Sequence, residues 1–575
     1  MTGLVGSFDP DGVDPGRLAG AARSTPYRGD VVTLQSDPCL VIGSLGDGGL
    51  MHESAGSHLL VDGRIDAIVR GPAVIGSEGS AAEVLHERLN RRGPDALNEF
   101  AADFALALVT DPEDGVLLAR DAFGLRPLYV AARHRRFAFA SEPAILMALG
   151  MASDDLDPEV ISAFLAGGYA FDGRTAFSEI REVPPGAWLR LHRDGRRSEG
   201  RWFDPEGLRG GRLPRGEAVE ALRDALVASV IARARGGKTA VALSGGRDSG
   251  SVMVAAAHAG VDATGITHTY DPDLPVNESH LARALCDAHD MAWMEAPVAS
   301  CPTWDQMEDV PAWSGGPVTY PVVPEAVAIP DVASDGGFDV IMTGDGESLF
   351  AASELVVLDL LRTGRPVAAV RAAKEFRHVW GRSFTRQAKV AGRALAPRAV
   401  LEARERHRPQ PPWVKPISDP QAFAGPQPRS DLAALLCELN APYSSGYSLD
   451  ERLHRTHGIE FTCPLLDLRV VSVALSIEVD DRAPIEAPKP ILAAAFLGHL
   501  AESRVKMSFV PYYRRVARRM QAAFPHLFSP GNLASQRGYV DPAGLLAVGS
   551  DPWLQRSLPV SVLEMWLRRP VHSRV

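Results

Sequence analysis

The chain has 575 residues, 46% of them hydrophobic and 23% charged, with a formal net charge of −11. That length exceeds what one hydrophobic core supports, so two or more globular domains are expected, and the acidic balance argues against bulk nucleic-acid binding. Five scattered cysteines without paired metal-ligand spacing (Cys39, Cys286, Cys301, Cys437, Cys463), no basic start and no run of about eighteen apolar residues fit a soluble cytoplasmic protein with no disulfide framework, zinc site or membrane partner.

The first ~200 residues alternate short apolar runs with Gly, Pro and Asp, a pattern of strands and turns with few helices. Ser57 to Val61, Asp103 to Val109, Val116 to Ala119 and Phe137 to Ala140 read as strands. Leu208 to Gly216, dense in Gly and Arg, reads as a linker. Beyond it Val219, Leu222, Leu226 and Val230 recur at helical spacing, and Gly236-Gly237 stops that helix.

A β-prone run, Thr239 to Leu243, then feeds without a spacer into Ser244-Gly245-Gly246-Arg247-Asp248-Ser249 and a helical run closed by Gly260. A tight turn between a strand end and a helix N-terminus is an anion site: glycines let the backbone approach closely, and first-turn N–H groups have no partner inside the helix. Ser244 and Ser249 add hydroxyl donors. Asp248 would repel phosphate on its own, but a carboxylate that shares Mg²⁺ with phosphate becomes part of the clamp. No glycine-rich run ending in Gly-Lys-Ser/Thr occurs, so this is not the commoner nucleotide loop.

Strand and helix alternate from there, which implies a parallel sheet with helices on its faces. Ala263 to Thr269 reads as the second strand and Ser279 to His289 as the second helix. Ligands sit beyond the carboxyl ends of such strands, which puts Thr267-His268-Thr269 beside a bound adenine. Asn277-Glu278 reads either as a ligand position or as a helix start with a favourable acid. A buried run from Phe338 again ends in a glycine turn carrying acids, Thr343-Gly344-Asp345-Gly346-Glu347. Between Arg371 and Arg408 the chain turns basic, with eleven Lys or Arg against three Glu; this is either a solvated helical face or a surface for an acidic partner.

Ser-Gly-Gly-x-Asp-Ser resembles the pyrophosphate loop of ATP pyrophosphatases, which cleave ATP between its α and β phosphates. Three further blocks in order, Ala102 to Ala105, Arg120 to Tyr129 and Phe139 to Glu142, resemble the glutaminase domain of class B asparagine synthetases. Gly458 to Asp467 and Lys489-Pro490-Ile491-Leu492 resemble their synthetase blocks. The resemblance implies an α/β protein: a degenerate N-terminal-nucleophile, class II glutamine amidotransferase-like αββα domain over 1–207, then a parallel-sheet ATP-pyrophosphatase synthetase domain over 208–575. It implies ATP and Mg²⁺, with Leu243, Ser244, Gly245, Gly246, Asp248, Ser249, His268, Thr343 and Gly344 at the nucleotide. Asp248 and Glu347 would be the metal ligands, Asp345 would lie by the acyl group, and Lys506 would reach the adenylated carboxyl.

The departures from that family carry as much information. Its nucleophilic cysteine is replaced by Thr2, whose hydroxyl is a nucleophile type when the amine is free. Its glutamine-gripping Asn-Gly-Glu appears as Asp62-Gly63-Arg64, which sets a cation against the substrate's ammonium. Loss of glutaminase activity is therefore expected, with the domain kept as structure. A synthetase without ammonia takes its amine from the substrate, as β-lactam synthetases and lasso peptide cyclases do. The extra length and the basic aromatic segment favour the cyclase. The reaction it implies joins the α-amine of a leader-free core peptide to an internal Asp or Glu side chain, with Asp345 as base and Asp450 or Glu451 behind it, and with a leader-binding protein and a leader peptidase as partners. A β-lactam synthetase, an ammonia-using asparagine synthetase and a non-catalytic nucleotide-binding scaffold stay open as alternatives.

Overall fold

The computed structural model describes residues 2–568 apart from 47–48, 55, 69–77, 112–113, 169–171, 235–236, 299–315, 318–322, 408, 419–422, 424, 426, 441–443, 486–487, 497–507 and 549–553. Twelve strands come first: β1 (Gly3–Phe8), β2 (Val31–Asp37), β3 (Leu40–Leu45), β4 (Leu50–Ser54), β5 (Ser57–Ile68), β6 (Phe100–Val109), β7 (Val116–Arg120), β8 (Tyr129–Arg133), β9 (Arg136–Ala140), β10 (Arg181–Glu182), β11 (Ala187–Leu191) and β12 (Arg197–Arg201). They form two antiparallel sheets, ordered β10-β8-β9-β1-β3-β2 and β12-β11-β7-β6-β5-β4. Period-2 alternation explains how the sheets stack. Ala105, Ala107 and Val109 of β6 face Leu4, Phe8, Phe137 and Phe139 in a core between the sheets. Leu106 and Leu108 point the other way, into the larger core shared with the helices.

Those helices make the outer layers. Pro15–Ala22 and Pro143–Ala148 pack on the first sheet, while Glu78–Arg92 packs on the second together with Leu468–Ser476 from the far half of the chain. The four layers match the expected αββα arrangement. One of them is partly supplied by the synthetase half.

Five parallel strands form the third sheet: β13 (Thr239–Ala242), β14 (Ala263–Thr269), β15 (Ala292–Pro297), β16 (Val340–Met342) and β17 (Glu460–Thr462), ordered β15-β14-β13-β16-β17. Helix Arg247–His258 connects β13 to β14, and Ser279–Ala288 connects β14 to β15. The stretch expected as a free linker is held: Leu213 N–H donates to the Ser476 carbonyl at 3.2 Å and Ser472 Oγ donates to the Leu208 carbonyl at 3.1 Å. Among the described residues no helix is long and apolar enough to cross a membrane.

Candidate active site

β13 ends at Ala242, and Leu243 extends its pairing by donating N–H to the Ile266 carbonyl at 2.8 Å. The chain then turns through Gly245, whose φ of +77° suits glycine; a Cβ there would stand 3.0 Å from the Glu278 carbonyl oxygen and from Leu281 Cβ. Gly246 caps helix Arg247–His258 without a side-chain acceptor, so the first-turn amides keep their donors for a ligand. Ser249 Oγ accepts from Ser244 N–H at 3.1 Å and lies 3.0 Å from Ser244 Oγ, which folds the loop over the helix start.

The β16 loop closes on this corner from the side. A Cβ on Gly344 would stand 2.5 Å from Ser249 N, so only a glycine allows the approach. Thr343 Oγ1 donates to Asp345 Oδ2 at 2.6 Å, and the buried Cys463 Sγ lies 4.0 Å from the same oxygen. Asp450, on helix Ser444–Thr456, is partly buried; desolvation and the charge of Asp345 push its carboxyl well above the ordinary range. Burial and a like charge both work against ionising the two carboxylates together.

Asp248 Oδ2 is ion-paired with Lys489 Nζ, and both side chains are largely buried. Lys489 holds a left-handed backbone, φ 55°, at the start of helix Pro490–Ala495. Sequence reading treated Lys489 only as a helix start; Lys-Pro at that start is its sole sequence signal. The corner therefore already takes a cation beside Asp248. Among the described residues no group of three His, Cys, Asp or Glu could hold a metal by itself.

His268 lies at the carboxyl end of β14, where burial pushes its imidazole down to about 4, and its Nε2 is buried without a hydrogen-bond partner. Next to it Glu325 accepts from Tyr270 OH at 2.7 Å, leaves Oε2 unpartnered, and is pushed up to about 7 by burial. Nothing in the sequence singled out Glu325.

The residues around Thr2 are buried and paired. Thr2 is buried and its Oγ1 donates to Asp62 Oδ1 at 2.5 Å; Ser141 Oγ donates to Asp62 Oδ2 at 3.2 Å. Gly63, φ +125°, lies so close on Asp103 that a Cβ would stand 2.0 Å from its carbonyl oxygen. Arg64 pairs with Asp66 at 2.8 Å and Asp103 at 3.0 Å, and Asp103 also pairs with Arg233 of the synthetase half at 3.1 Å. Arg233 continues to Asp467 at 2.9 Å. The Arg expected to repel a substrate ammonium is instead locked into the frame.

One expectation is corrected outright. Glu451 is not a spare base for the synthetase. It is fully buried, with Arg28 on both carboxylate oxygens at 2.8 and 2.6 Å and Arg455 at 2.9 Å. Burial alone would raise its carboxyl, but Arg28, Arg455 and Arg126 outweigh that and hold it far below the usual range. On a helix adjacent residues point about 100° apart, so Asp450 turns to Asp345 while Glu451 turns to the N-terminal half. Lys506 and the side chain of Glu347 lie outside the described residues.

A parallel sheet carrying an anion corner and a carboxylate pair at its carboxyl ends, joined to a four-layer amidotransferase-like half, defines an amidotransferase-synthetase architecture. Residues 75–203 match the glutamine amidotransferase domain family and residues 221–568 match asparagine synthase. The second match spans more than half of the chain, which belongs to the asparagine synthase family. The first begins beyond Thr2, Asp62 and Arg64. Asparagine synthetase B [glutamine-hydrolyzing] of Escherichia coli (strain K12) is 30% identical over 174 residues, covering 30% of this chain and 26% of that protein. Amidase chyE of Penicillium rubens is 24% identical over 337 residues, 52% of this chain and 49% of that protein. Amidase chry2 of Gibberella zeae is 25% identical over 216 residues, 36% of this chain and 31% of that protein. The chain thus spans half or less of the length of each of these curated relatives.

Proposed function

We propose that this chain is an ATP-dependent, AMP-forming carbon-nitrogen ligase that closes a macrolactam within one peptide, as lasso peptide cyclases do. The observation that carries the reading is a contrast. The loop that would cradle a triphosphate keeps its glycines, hydroxyls and carboxylate, whereas the residues standing where the family grips glutamine, Thr2, Asp62 and Arg64, are buried and tied to one another or to the frame. The amine then has to come from the substrate itself.

In this reading an oxygen of a peptide Asp or Glu side chain attacks the α-phosphorus of ATP held at Ser244 to Ser249, and pyrophosphate leaves. The peptide's α-amine attacks the acyl carbon, AMP departs with the carboxyl oxygen, and the amine's proton passes to Asp345, which shares its site with Asp450. Asp248 and Glu347 would hold Mg²⁺, whose charge offsets that of the phosphates. Lys506 would supply positive charge as it builds on the transferring oxygens. His268, Thr343 and Gly344 would border the nucleotide. A leader-binding protein and a leader peptidase in the cytoplasm would deliver the substrate.

The test is to incubate the protein with ATP, Mg²⁺ and a core peptide bearing a free N-terminus and an internal Asp or Glu, and to follow AMP and peptide mass. Cyclisation predicts AMP formed with loss of one water from the peptide, and neither when the N-terminus is acetylated. AMP formed with aspartate and ammonia alone would show a plain asparagine synthetase. AMP formed with a small β-amino acid alone would show a β-lactam type enzyme. ATP left unturned by every acceptor would show a scaffold.

A further inference from the structure

The chain's basic segment forms a helical arm that the reaction above does not use. Of the large hydrophobic side chains that stand exposed among the described residues, half fall between residues 361 and 400: Leu361, Val367, Val370, Phe384, Leu395 and Val400. Such clustering marks an interaction surface, whereas single exposed apolar residues do not.

The arm's helices explain the clustering. Helix Pro366–Trp380 buries Ala369, Ala372 and Phe376 against Val356 and Leu360, in a small core separate from the main ones. Its outer face carries Val367 at 66% and Val370 at 54% exposure, with Arg371 and Lys374 at the spacing of one face. Helix Phe384–Leu395 buries only Gln387 and Ala394; Phe384, Ala388 and Leu395 line one side, and Arg386, Lys389 and Arg393 the next. Helix Arg398–Arg406 buries nothing. Helices this short are marginal in water unless an apolar face is covered.

Charge says what covers them. The segment holds eleven Lys or Arg against three Glu on a chain of net charge −11. Arg386 and Arg398 are paired with Glu354 and Glu402, but Arg371, Lys374, Lys389 and Arg404 have no carboxylate partner among the described residues. We propose that this arm is the docking surface for an acidic amphipathic polypeptide of a partner protein, whose apolar side chains cover Val367, Val370 and Leu395 while its carboxylates meet the unpaired cations. Nucleic acid would pair with the cations but leave Val and Leu uncovered, and stacking needs more exposed aromatics than Phe384.

The experiment uses the full chain and a fluorescein-labelled synthetic helical peptide with a leucine face flanked by Glu. Its comparators carry Lys in place of Glu, or Gly in place of Leu. The Leu/Glu peptide binds saturably, and binding weakens by about tenfold or more in Arg371→Glu/Lys374→Glu/Lys389→Glu and in Val367→Ser/Val370→Ser/Leu395→Ser. Thermal midpoints and AMP formation stay unchanged, because none of these residues lies at the nucleotide corner. Equal binding of any comparator, or of the Leu/Glu peptide to either triple variant, would overturn the proposal. So would tighter binding of phosphatidylserine vesicles or poly(U) than of the peptide. A concentration-dependent dimer dissolved by the charge reversals would replace the partner with a second copy of this chain.

Discussion

Where the two halves meet, the buried carboxylates of Glu142, Asp103 and Glu451 are each met by at least one guanidinium, from Arg28, Arg64, Arg233, Arg452 or Arg455. At the ends of the parallel sheet the pattern reverses: Asp450 is set against Asp345, and Glu325 and His268 each keep a buried polar atom without a partner. Both regions are made of ordinary acids and bases. Carboxylates met by guanidinium groups are held charged and occupied, whereas acids set near another acid or left without a partner are those whose protonation a small change can move. The difference separates a region retained as frame from one poised for chemistry.

The sharpest way to break that division is at Asp248. Asp248→Ala is expected to lower AMP formation by about a thousandfold per folded molecule, read by chromatography of the nucleotides beside a melting scan that registers the lost partner of Lys489. Arg233→Met should do the converse. It leaves the buried Asp103 and Asp467 with Arg64 and Arg469 alone and costs about 3–5 kcal/mol of stability, seen as a lower denaturant midpoint, while turnover per folded molecule persists. If Arg233→Met leaves stability intact, the frame reading is wrong. Asp345→Asn should cut turnover by about a hundredfold or more, and at reduced activity the acid limb of the pH profile should move down, because Asp450 loses its negative neighbour.

Two smaller effects sharpen the same division. Glu325 is an acid whose folded value, about 7, lies above its ordinary 4.5. The folded state therefore binds its proton more tightly, and Glu325 costs stability progressively as pH rises from 4.5 to 7, and fully above that. Glu325→Gln keeps the Tyr270 bond and should match the parent at low pH but exceed it at pH 8, measured by denaturant unfolding at both. Thr2→Ala should cost roughly 1–2 kcal/mol through loss of the Asp62 bond, and leave AMP formation unaltered. A drop in turnover there would return Thr2 to the chemistry.

Much of this was legible in the residues. Ala263–Thr269 is a strand over the span its pattern predicts, and Ser244 to Ser249 forms the turn that its glycines require. Period and turn chemistry are local, so a one-dimensional string carries them. Pairing across hundreds of residues is not local. Arg28 and Glu451 are 423 positions apart, and no spacing rule joins them. For the same reason Asp450 and Glu451 read as equivalent acids until the helix turned one toward each half. No spacing rule joins Lys489 to Asp248 either, 241 positions earlier.

The buried ion pairs between the halves bear on how the protein could be shortened. Removing the first two hundred or so residues would leave Arg233, Glu451, Arg452 and Glu460 facing solvent or each other without the charges that now offset them. Whatever its own chemistry, such a domain becomes hard to excise, because its neighbour depends on it as a counterion.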